Sequence, residues 1–396
     1  MKSYLQLRQF IQHPVNFLNQ LRGTSPDLIQ EVYLGPKRFI IIFDPTIATS
    51  VLVQKADQYL QGQAIFRHII PLTGVKGLVQ LQGQKSRAAR KKSRELFSPG
   101  NLDRFKLIIE EYTQEALDEI TVDTKIEIAK VMTKLVLRTA LKIFLGIDAK
   151  KEVETIGNEF LKLNQLCGKK MLSPLGLPSF IPTPNNMRIK KLKNSLRKKI
   201  QNLIQTSSDE LNVVSVFINE ESLVDQCMTF LFAGHETTAS SLAFSFLLLA
   251  QHPEYQLRIA QDEKGLISNI YKESLRLFPP AYMLVREALK DDQLGKLQVK
   301  KGDQVIIGLK QIHRLDFFFP NPDQFLPERF DGPVSKAFFP FSKGPKACIG
   351  ETLAYIEAEI IIKAFCKRLN FKKLHHPIQM KPLITLHPKN QDLYVC

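Results

Sequence analysis

The sequence predicts a mainly α-helical fold with a small β region (α+β). Long segments place their apolar residues at helical spacing, few stretches have the composition of strands, and one apolar run is long enough to cross a large protein as a helix. The chain has 396 residues, of which 44% are hydrophobic and 24% charged, so it can bury a large core. No shift in composition marks a boundary, and we expect residues 1–396 to form a single domain.

Helical spacing is clearest in segments that proline- or glycine-bearing breaks separate, such as the break at 173–186. Residues 30–44 alternate around a Gly-Pro pair, as is typical of a hairpin, and a second β-like stretch covers 296–309. Because these stretches are distant in sequence, we expect a small sheet with β-rich parts at roughly 30–60 and 281–309. The clearest helical segments are 102–120, 125–146, 189–205 and 352–369.

Net charge and cysteine content limit the classes of function. The formal net charge is +16, but many lysines are scattered along predicted helices, so we interpret the excess as general surface charge and expect no nucleic-acid partner. The five cysteines are odd in number and form no CxxC pair, which argues against a disulfide framework or a structural zinc site. The N-terminal sequence has no apolar run long enough for a signal sequence or a membrane anchor, and we expect a cytoplasmic protein.

The longest apolar stretch is 222–250, and it allows two readings. A membrane-spanning helix needs about 20 consecutive apolar residues. Asp225, His235 and Glu236 interrupt this stretch, so a helix buried through the middle of the protein fits better. Polar residues inside a buried helix are costly and therefore indicate a functional position.

The motif AGHETT, residues 233–238, lies inside that stretch. A glycine next to threonines allows a helix to open locally, with a hydroxyl taking over a backbone bond, and so makes room for a small ligand. Glu236 beside Thr237 pairs an acid with a hydroxyl, a combination that can relay protons. The alternative is a kinked core helix in which Glu236 is merely hydrogen-bonded.

The charged residues of two segments would form one ion-pair network if the segments met. Glu273 and Arg276 lie one helical turn apart, and an exposed pair at this spacing is worth only a few tenths of a kcal/mol. Arg329 lies in a proline-bounded loop, and a contact with Glu273 would pin that loop to the helix. Basic runs at 83–96 and 187–199 are typical of solvated helices, although the first also suits binding of carboxylates or phosphates.

Cys348 lies in the stretch PFSKGPKACIGE, residues 340–351, just before a predicted helix. Backbone N–H groups at a helix start lower the pKa of a nearby thiol, and Gly344 and Gly350 permit unusual backbone angles and the close approach of a flat group. Both features suit either a metal ligand or a nucleophile. No obvious base motif accompanies the cysteine, and no further zinc ligands lie near it in sequence.

Taken together, these segments resemble the cytochrome P450 family of haem-thiolate monooxygenases over nearly the whole chain. The stretch FSKGPKACIG fits the family's cysteine loop at Phe341, Gly344, Cys348 and Gly350. AGHETT fits the oxygen-activation motif of the long central helix. Glu273 and Arg276 fit ExxR, and Arg329 fits the residue that completes the charge triad.

The resemblance implies haem b between the central helix and the helix that follows the cysteine loop. Cys348 would be the axial thiolate ligand of the iron, which favours O–O cleavage. Thr237 and Glu236 would supply protons to bound O2, and Ala233 and Gly234 would lie against the cofactor. Peroxide-driven and dehydrating members commonly lack this acid–alcohol pair, so its presence favours monooxygenation.

The resemblance also implies cationic partners for the two haem propionates. Arg90, Arg286 and Lys346 match these positions in the family's pattern. Ser86 stands where the family usually has Trp or His, and the chain contains no tryptophan. Lys346 stands where the family usually has Arg or His, so it keeps the charge without the bidentate fork.

The remaining expectations concern substrate and partners. The resemblance implies a small apolar substrate, such as a fatty acid, terpenoid or steroid, together with O2 and two electrons. Since only residues 349–396 follow the cysteine, we expect no fused flavin or iron–sulfur domain but a separate acidic ferredoxin or flavodoxin with its reductase, docked on 85–94 near Lys343 and Lys346. The alternatives are a peroxide-dependent or rearranging haem enzyme and a non-catalytic haem sensor. The expected pocket residues are Phe66, Phe230, Ala233, Met283, Leu284 and Leu383.

Overall fold

The computed structural model of the chain describes residues 2–62, 66–171, 181–208, 210–389 and 392–396. Most of these residues are helical, which confirms the predicted fold class. The helices are α1 Lys2–Gln12, α2 Pro14–Thr24, α3 Pro45–Thr49, α4 Ile70–Thr73, α5 Gly83–Ser93, α6 Pro99–Asp118, α7 Ile128–Leu145, α8 Val153–Met171, α9 Pro184–Ile204, α10 Val213–Phe217, α11 Leu223–Gln251, α12 Pro253–Ala260, α13 Leu266–Leu277, α14 Leu309–Ile312 and α15 Glu351–Arg368.

The strands come from distant parts of the chain, as predicted. The largest sheet has the order β1-β2-β8-β5-β3, with β1 and β2 paired as the expected hairpin and β2 running parallel to β8. Three two-stranded sheets, β9-β10, β4-β11 and β6-β7, complete the β region. The strands are β1 Ile29–Leu34, β2 Lys37–Ile42, β3 Tyr59–Leu60, β4 Thr124–Glu127, β5 Leu284–Ala288, β6 Asp292–Leu294, β7 Leu297–Val299, β8 Gln304–Ile307, β9 Met380–Pro382, β10 Leu386–Pro388 and β11 Asp392–Val395.

Helix boundaries differ from the prediction where capping decides them. Helix α9 begins at Pro184, before the predicted 189, because the Thr183 hydroxyl accepts a hydrogen bond from the Asn186 N–H at 3.1 Å and proline is favourable in the first turn. Of the predicted break at 173–186, residues 173–180 lie outside the described ones.

The apolar run predicted to cross the protein forms helix α11, which is enclosed by the other helices. Every residue from Asp225 to Phe232 and from Thr238 to Ala250 is buried. Its most extensive contact is with α7, and the largest hydrophobic cluster forms around these two helices. Among the described residues, no helix is long and apolar enough to cross a membrane.

The first turns of α11 hold the segment that precedes α5. Asp225 accepts a hydrogen bond from the Lys76 N–H at 2.8 Å, and the Gln226 amide oxygen accepts one from the Leu78 N–H at 2.9 Å. One turn further on, the Thr229 hydroxyl donates to the Thr73 carbonyl at 2.8 Å. Three polar side chains near the start of a buried helix therefore fix the segment from Thr73 to Leu78.

Glu273, Arg276 and Arg329 form one buried network. Arg276 donates two hydrogen bonds to Glu273, at 2.6 and 2.7 Å, and neither side chain is exposed. The Arg329 Nε donates to the same carboxylate at 3.2 Å, so the loop contact that the sequence suggested is present. The remaining guanidinium hydrogens of Arg276 go to the carbonyls of His313, Pro322 and Gln324.

We expect Glu273→Ala to lower the free energy of unfolding by about 3 kcal/mol or more. Removing the carboxylate leaves Arg276 charged and unpaired in the interior, a situation that typically costs about 3–5 kcal/mol. Urea unfolding followed by circular dichroism measures the change. Glu110→Ala, on the exposed face of α6, is the matched control. Equal stabilities of the two variants would contradict the buried network.

Candidate active site

A cavity lies between the central helix α11 and the loop that carries Cys348. It is bounded by α5, α7, α13 and the start of α15, together with the segment around Leu78 and the chain before β5. The predicted residues that line it are Phe341, Lys346, Cys348, Gly350, Arg90, Ala233, Gly234, Thr237, Phe230 and Leu284.

The loop before Cys348 is fixed by short-range bonds and one close backbone approach. The Cys348 N–H donates to the Phe341 carbonyl at 2.9 Å. Gly344 has φ +73°, and a Cβ there would lie 2.1 Å from the Leu52 carbonyl oxygen. Gly344 does not line the cavity, and its expected contact with a cofactor stays a prediction. Glycine is needed here to seat the loop on residues 50–54. Gly350 lines the cavity but has an ordinary φ of −95°.

Cys348 faces the cavity, and its thiol is more basic than the sequence suggested. Burial among protein atoms raises its pKa, and the Gly350 N–H and the Arg90 guanidinium offset this effect only in part. The lowering by backbone N–H groups that the sequence predicts is present, but burial outweighs it in the protein alone. A bound cation would deprotonate it outright, since a coordinating thiol is a thiolate.

Arg90 and Lys346 line one side of the cavity, and a third cation, Arg286, lies near Lys346 without lining the cavity itself. Arg286 is buried in β5, and burial lowers its pKa to about 10. Burial and the charges of Arg90 and Arg286 together lower the pKa of Lys346 to about 8. In the described part of the chain, none of the three has an acidic partner within ion-pair distance. Such a cluster is stable only beside an anion, so it fits a ligand with buried carboxylates.

Ser86 takes part in holding this cluster. Its hydroxyl accepts a hydrogen bond from the Lys346 ammonium at 2.7 Å, and the Leu81 carbonyl accepts another at 2.6 Å. Arg90, one turn further along α5, donates to the Ala347 carbonyl. The small serine thus supports the lysine that replaces the family's usual arginine or histidine.

Only three residues between Asp225 and Ala250 of α11 are not buried, and all three line the cavity. These are Ala233, Gly234 and Thr237. A Cβ at Gly234 would lie 2.7 Å from the ring of Phe144, so glycine keeps α11 close to α7 here. The Thr237 hydroxyl donates to the Ala233 carbonyl at 2.8 Å, which is the local exchange of bonds expected from the sequence.

Glu236 does not face the cavity with Thr237. Its side chain is buried on another side of α11, where Asn164 donates to Oε1 and the His387 Nε2 lies 2.8 Å from the same oxygen. Burial raises the pKa of Glu236, but the contacts with His387 and Asn164 outweigh burial and lower it. The carboxylate therefore needs a rotation or a relay to reach Thr237.

One carboxyl group of the cavity, that of Glu357, was not predicted from the sequence. Glu357 on α15 is buried, and burial raises its pKa to about 8, partly offset by a hydrogen bond with Thr238. At neutral pH it is mainly an uncharged acid beside the cavity. The signal in the sequence was an acid on the buried face of an otherwise apolar stretch, LAYIEAEIII.

Three expected pocket residues lie elsewhere. Phe66 and Met283 pack against the hydrophobic cluster that α1, α2 and the large sheet form. Leu383 is buried, and its carbonyl accepts a hydrogen bond from Tyr282 at 3.2 Å. None of the three lines this cavity, so their assignment to a substrate pocket stays a prediction. Leu78, Val79 and Ala281 contribute apolar wall in their place.

Comparisons with known proteins agree with this architecture. The model of the cytochrome P450 family matches residues 1–395. The chain belongs to the cytochrome P450 family. It is 27% identical to cyclooctat-9-en-7-ol 5-monooxygenase of Streptomyces melanosporofaciens, an alignment that covers 90% of this chain and 84% of that protein. It is 28% identical to a cytokinin hydroxylase of Arabidopsis thaliana, over 79% of this chain and 70% of that one.

Solved structures give the same result. The crystal structure of CYP175A1 from Thermus thermophilus superposes with a TM-score of 0.86 at 26% identity, covering 100% of this chain and 98% of that one. The protein is therefore a cytochrome P450 monooxygenase, and its family and fold imply a haem held by a cysteine thiolate.

The residues of the cavity fit that cofactor. Among the described residues that line the cavity, Cys348 offers the single sulfur, and the unbalanced charges of Arg90, Arg286 and Lys346 suit two propionates. Most of the remaining wall is apolar, which suits a flat apolar macrocycle.

We expect Arg286→Gln to lose haem at least about ten-fold faster than the wild type. A buried guanidinium without a protein carboxylate has the propionate as its natural partner, and glutamine cannot supply the charge. Transfer of haem to excess apomyoglobin, followed in the Soret region, measures the rate.

Two controls separate the roles. Arg188→Gln, exposed on α9, should leave haem loss unchanged. Cys348→Ala should abolish the red-shifted Soret band of the reduced protein under carbon monoxide, whereas Arg286→Gln should keep it. Haem loss from Arg286→Gln at the wild-type rate would contradict the assignment of the propionate partner.

Proposed function

We propose that this P450 inserts one atom of O2 into an apolar, lipid-like substrate, with Thr237 assisting protonation of the bound oxygen. The observation that carries the proposal is the position of Thr237: a hydroxyl on the open face of α11 lines the same cavity as Cys348. Haem b, when bound to Cys348, supplies the redox chemistry of O2 activation. The electrons come from a separate protein.

The hydroxyl of Thr237 suits proton transfer because it is already polarised. It donates to the Ala233 carbonyl, so both lone pairs of its oxygen remain free to accept a proton from water or acid. A turn of the side chain releases the O–H toward the cavity. Glu236, which immediately precedes it in the chain, is the nearest acid in sequence and supplies the proton.

The walls of the cavity favour a substrate without charge. Leu78, Val79, Phe230, Ala281 and Leu284 present apolar side chains. A lining of this kind binds ligands by burial of apolar surface and rejects ions, which would lose their hydration. The monooxygenase relative from Streptomyces is named for cyclooctat-9-en-7-ol, a cyclic alcohol. A terpenoid or steroid-like substrate is consistent with both facts, as is a fatty acid whose carboxylate stays outside the apolar part of the cavity.

We expect Thr237→Ala to divert electrons from product to hydrogen peroxide. With O2 and a ferredoxin reductase system, product should fall at least about ten-fold while electron consumption changes little, because general acid catalysis typically contributes about 10²-fold or more. Turnover with added hydrogen peroxide should stay within about two-fold of the wild type. The substrate is whichever member of a lipid and terpenoid panel shifts the Soret band.

Thr133→Ala is the matched control, because Thr133 on α7 makes the same hydroxyl bond to the carbonyl four residues earlier, at 2.7 Å. Unchanged product yield from Thr237→Ala with O2 would refute the proton role. Wild-type turnover with peroxide alone, and none with O2 and reductase, would instead support the peroxide-dependent alternative.

We further propose that the exposed face of α5 receives an acidic electron carrier. Ser86 and Arg90 point inward to the cysteine loop, and Arg87, Lys91 and Arg94 are exposed on the other face. Charge of one sign on such a face steers an acidic partner to the side of the protein that holds Cys348. Three lysines of the expected surface are engaged: Lys92 with Glu220 at 2.7 Å, Lys343 with the Lys336 carbonyl at 2.9 Å, and Lys346 with Ser86 inside the cavity.

Charge reversal of Lys85, Arg87 and Lys91 to Glu should slow reduction by an acidic ferredoxin more than about ten-fold at low salt. The effect should shrink at high salt, since exposed charges are screened. Stopped-flow reduction under carbon monoxide measures the rate.

The matched control is reversal of Lys190, Lys191 and Lys198 on α9, which carries the same change in charge on a helix that packs on α8 and α11. Equal slowing by both variants would show that net charge, and not α5, governs the reduction.

A further inference from the structure

A second polar cluster lies beside α11, outside the cavity, with Glu236 at its centre. The Glu236 side chain is 5% exposed. Its Oε1 accepts from Asn164 on α8 and lies 2.8 Å from the His387 Nε2 on β10; its Oε2 lies 3.5 Å from the His235 Nε2. These are the groups that face the acid from its own helix and from the elements packed on it in the described part of the chain.

His235 is placed to accept a proton, not to supply one. Its Nδ1 lies 2.6 Å from the Leu231 carbonyl, so Nδ1 carries the ring hydrogen and donates it. The side chain is 1% exposed, and burial lowers its pKa. His235 is therefore neutral, and its Nε2 presents a lone pair to Glu236.

His387 has the opposite character. Its side chain is 18% exposed, so one edge of the ring reaches solvent while Nε2 reaches the buried carboxylate. Strand β10 is held in place from both sides: Ser240 of α11 donates to the Leu386 carbonyl, and the Leu386 N–H donates to the Pro280 carbonyl at 2.9 Å. The contact between His387 and Glu236 is thus built into the fold.

We propose that His387 carries protons from solvent to Glu236 and thereby reprotonates the acid that supplies protons to Thr237. The inference rests on the proposed function and deepens it. In the transfer, the Nε2–H bond of the charged imidazole breaks and an O–H bond forms on Glu236 Oε1. The neutral ring keeps its hydrogen on Nδ1, and its Nε2 takes the next proton from water once Glu236 has turned away, so no other reactant is needed.

The neighbours of the pair accommodate both protonation states. The Thr385 hydroxyl lies 2.8 Å from the His387 Nε2, where it can donate to the Nε2 lone pair once the hydrogen has moved to Glu236 and that acid has turned away. The Asn164 amide donates to the carboxylate, and its own oxygen, buried without a partner, becomes an acceptor for the protonated acid when the amide turns over.

Transfer also releases the acid. Before it, a carboxylate and an imidazolium attract each other in a buried site where screening is weak. After it, both groups are neutral and only hydrogen bonds remain. Glu236 is then free to turn along α11 toward Thr237, and it is drawn back to His387 once its proton has left.

The test uses His387→Gln in the haem-loaded protein, with O2 and a ferredoxin reductase system. Glutamine retains hydrogen-bonding capacity at this position and cannot relay a proton. We expect product per electron to fall about five- to ten-fold, with a matching rise in hydrogen peroxide. Yields of the wild type and the variant are compared across a range of pH. Peroxide-driven turnover should be unchanged.

A second readout needs no turnover. Infrared titration of the carboxyl band, assigned by its loss in Glu236→Gln, should show that His387→Gln raises the pKa of Glu236, since the charged ring favours the carboxylate. His375→Gln, an exposed histidine on the surface, is the matched control and should resemble the wild type. Thr385→Val is a second relay variant if His387→Gln does not fold, and it should move yield in the same direction by a smaller factor.

The outcomes separate the two proposals. A wild-type yield and pH profile in His387→Gln, with Glu236→Gln impaired, overturn the relay and leave the proposed function standing. Wild-type yields in Glu236→Gln and Thr237→Ala overturn the proton role itself. In a double variant, the relay predicts that His387→Gln adds nothing to Glu236→Gln; an additive loss contradicts it.

Discussion

Helix α11 is enclosed by protein along most of its length, so each of its polar groups must find a partner inside the molecule. This constraint organises the rest of the structure. Near its start, Asp225 and Thr229 hold the loop that precedes α5. Further along, Ser240 holds β10. The polar residues that interrupt the apolar run thus hydrogen-bond distant segments of the chain to helix α11.

The same constraint divides neighbouring residues between two environments. Adjacent helical residues point about 100° apart, so Thr237 opens on the cavity while Glu236 turns into a separate polar cluster. One environment is apolar and suited to a lipid-like substrate. The other holds ionisable groups and reaches solvent through β10. Separating proton supply from substrate binding keeps charged groups out of the apolar cavity without moving them far from the chemistry.

The cavity also shows how charge specifies a cofactor. A cluster of positive charges without an internal counter-ion is unfavourable in the protein alone, and burial lowers the pKa values of Arg90, Arg286 and Lys346. A ligand with two negative charges offsets this unfavourable free energy when it binds. The thiol of Cys348 behaves in the same way, since its raised pKa makes it a poor free nucleophile and a ligand that ionises on binding metal.

Much of this site could be predicted from the sequence, because local spacing determines it. The cysteine loop, the three cations and Thr237 follow from motifs, and the fold class follows from hydrophobic periodicity. What the sequence could not predict depends on contacts between distant segments. The orientation of Glu236 requires β10 and α8, and the buried acid Glu357 was hidden in an ordinary helical pattern.

Contacts between distant segments also decide which of the expected pocket residues line the cavity. Met283 immediately precedes Leu284, which lines the cavity, yet Met283 packs against the N-terminal helices and sheet. Alternation along an extended segment sends neighbouring side chains to opposite faces. Which of the two reaches the cavity is decided by the sheet, and not by composition.

The close approach of Gly344 to Leu52 has a consequence for how the molecule assembles. The loop that presents Cys348 rests on backbone from the first part of the chain, and these two residues are separated by most of the polypeptide. Such non-local closure is slow, because the entropy of joining remote segments is lost before their contacts form. During synthesis, the loop that carries Cys348 therefore acquires its final shape late, only after the segments around Leu52 and Gly344 have both left the ribosome and met.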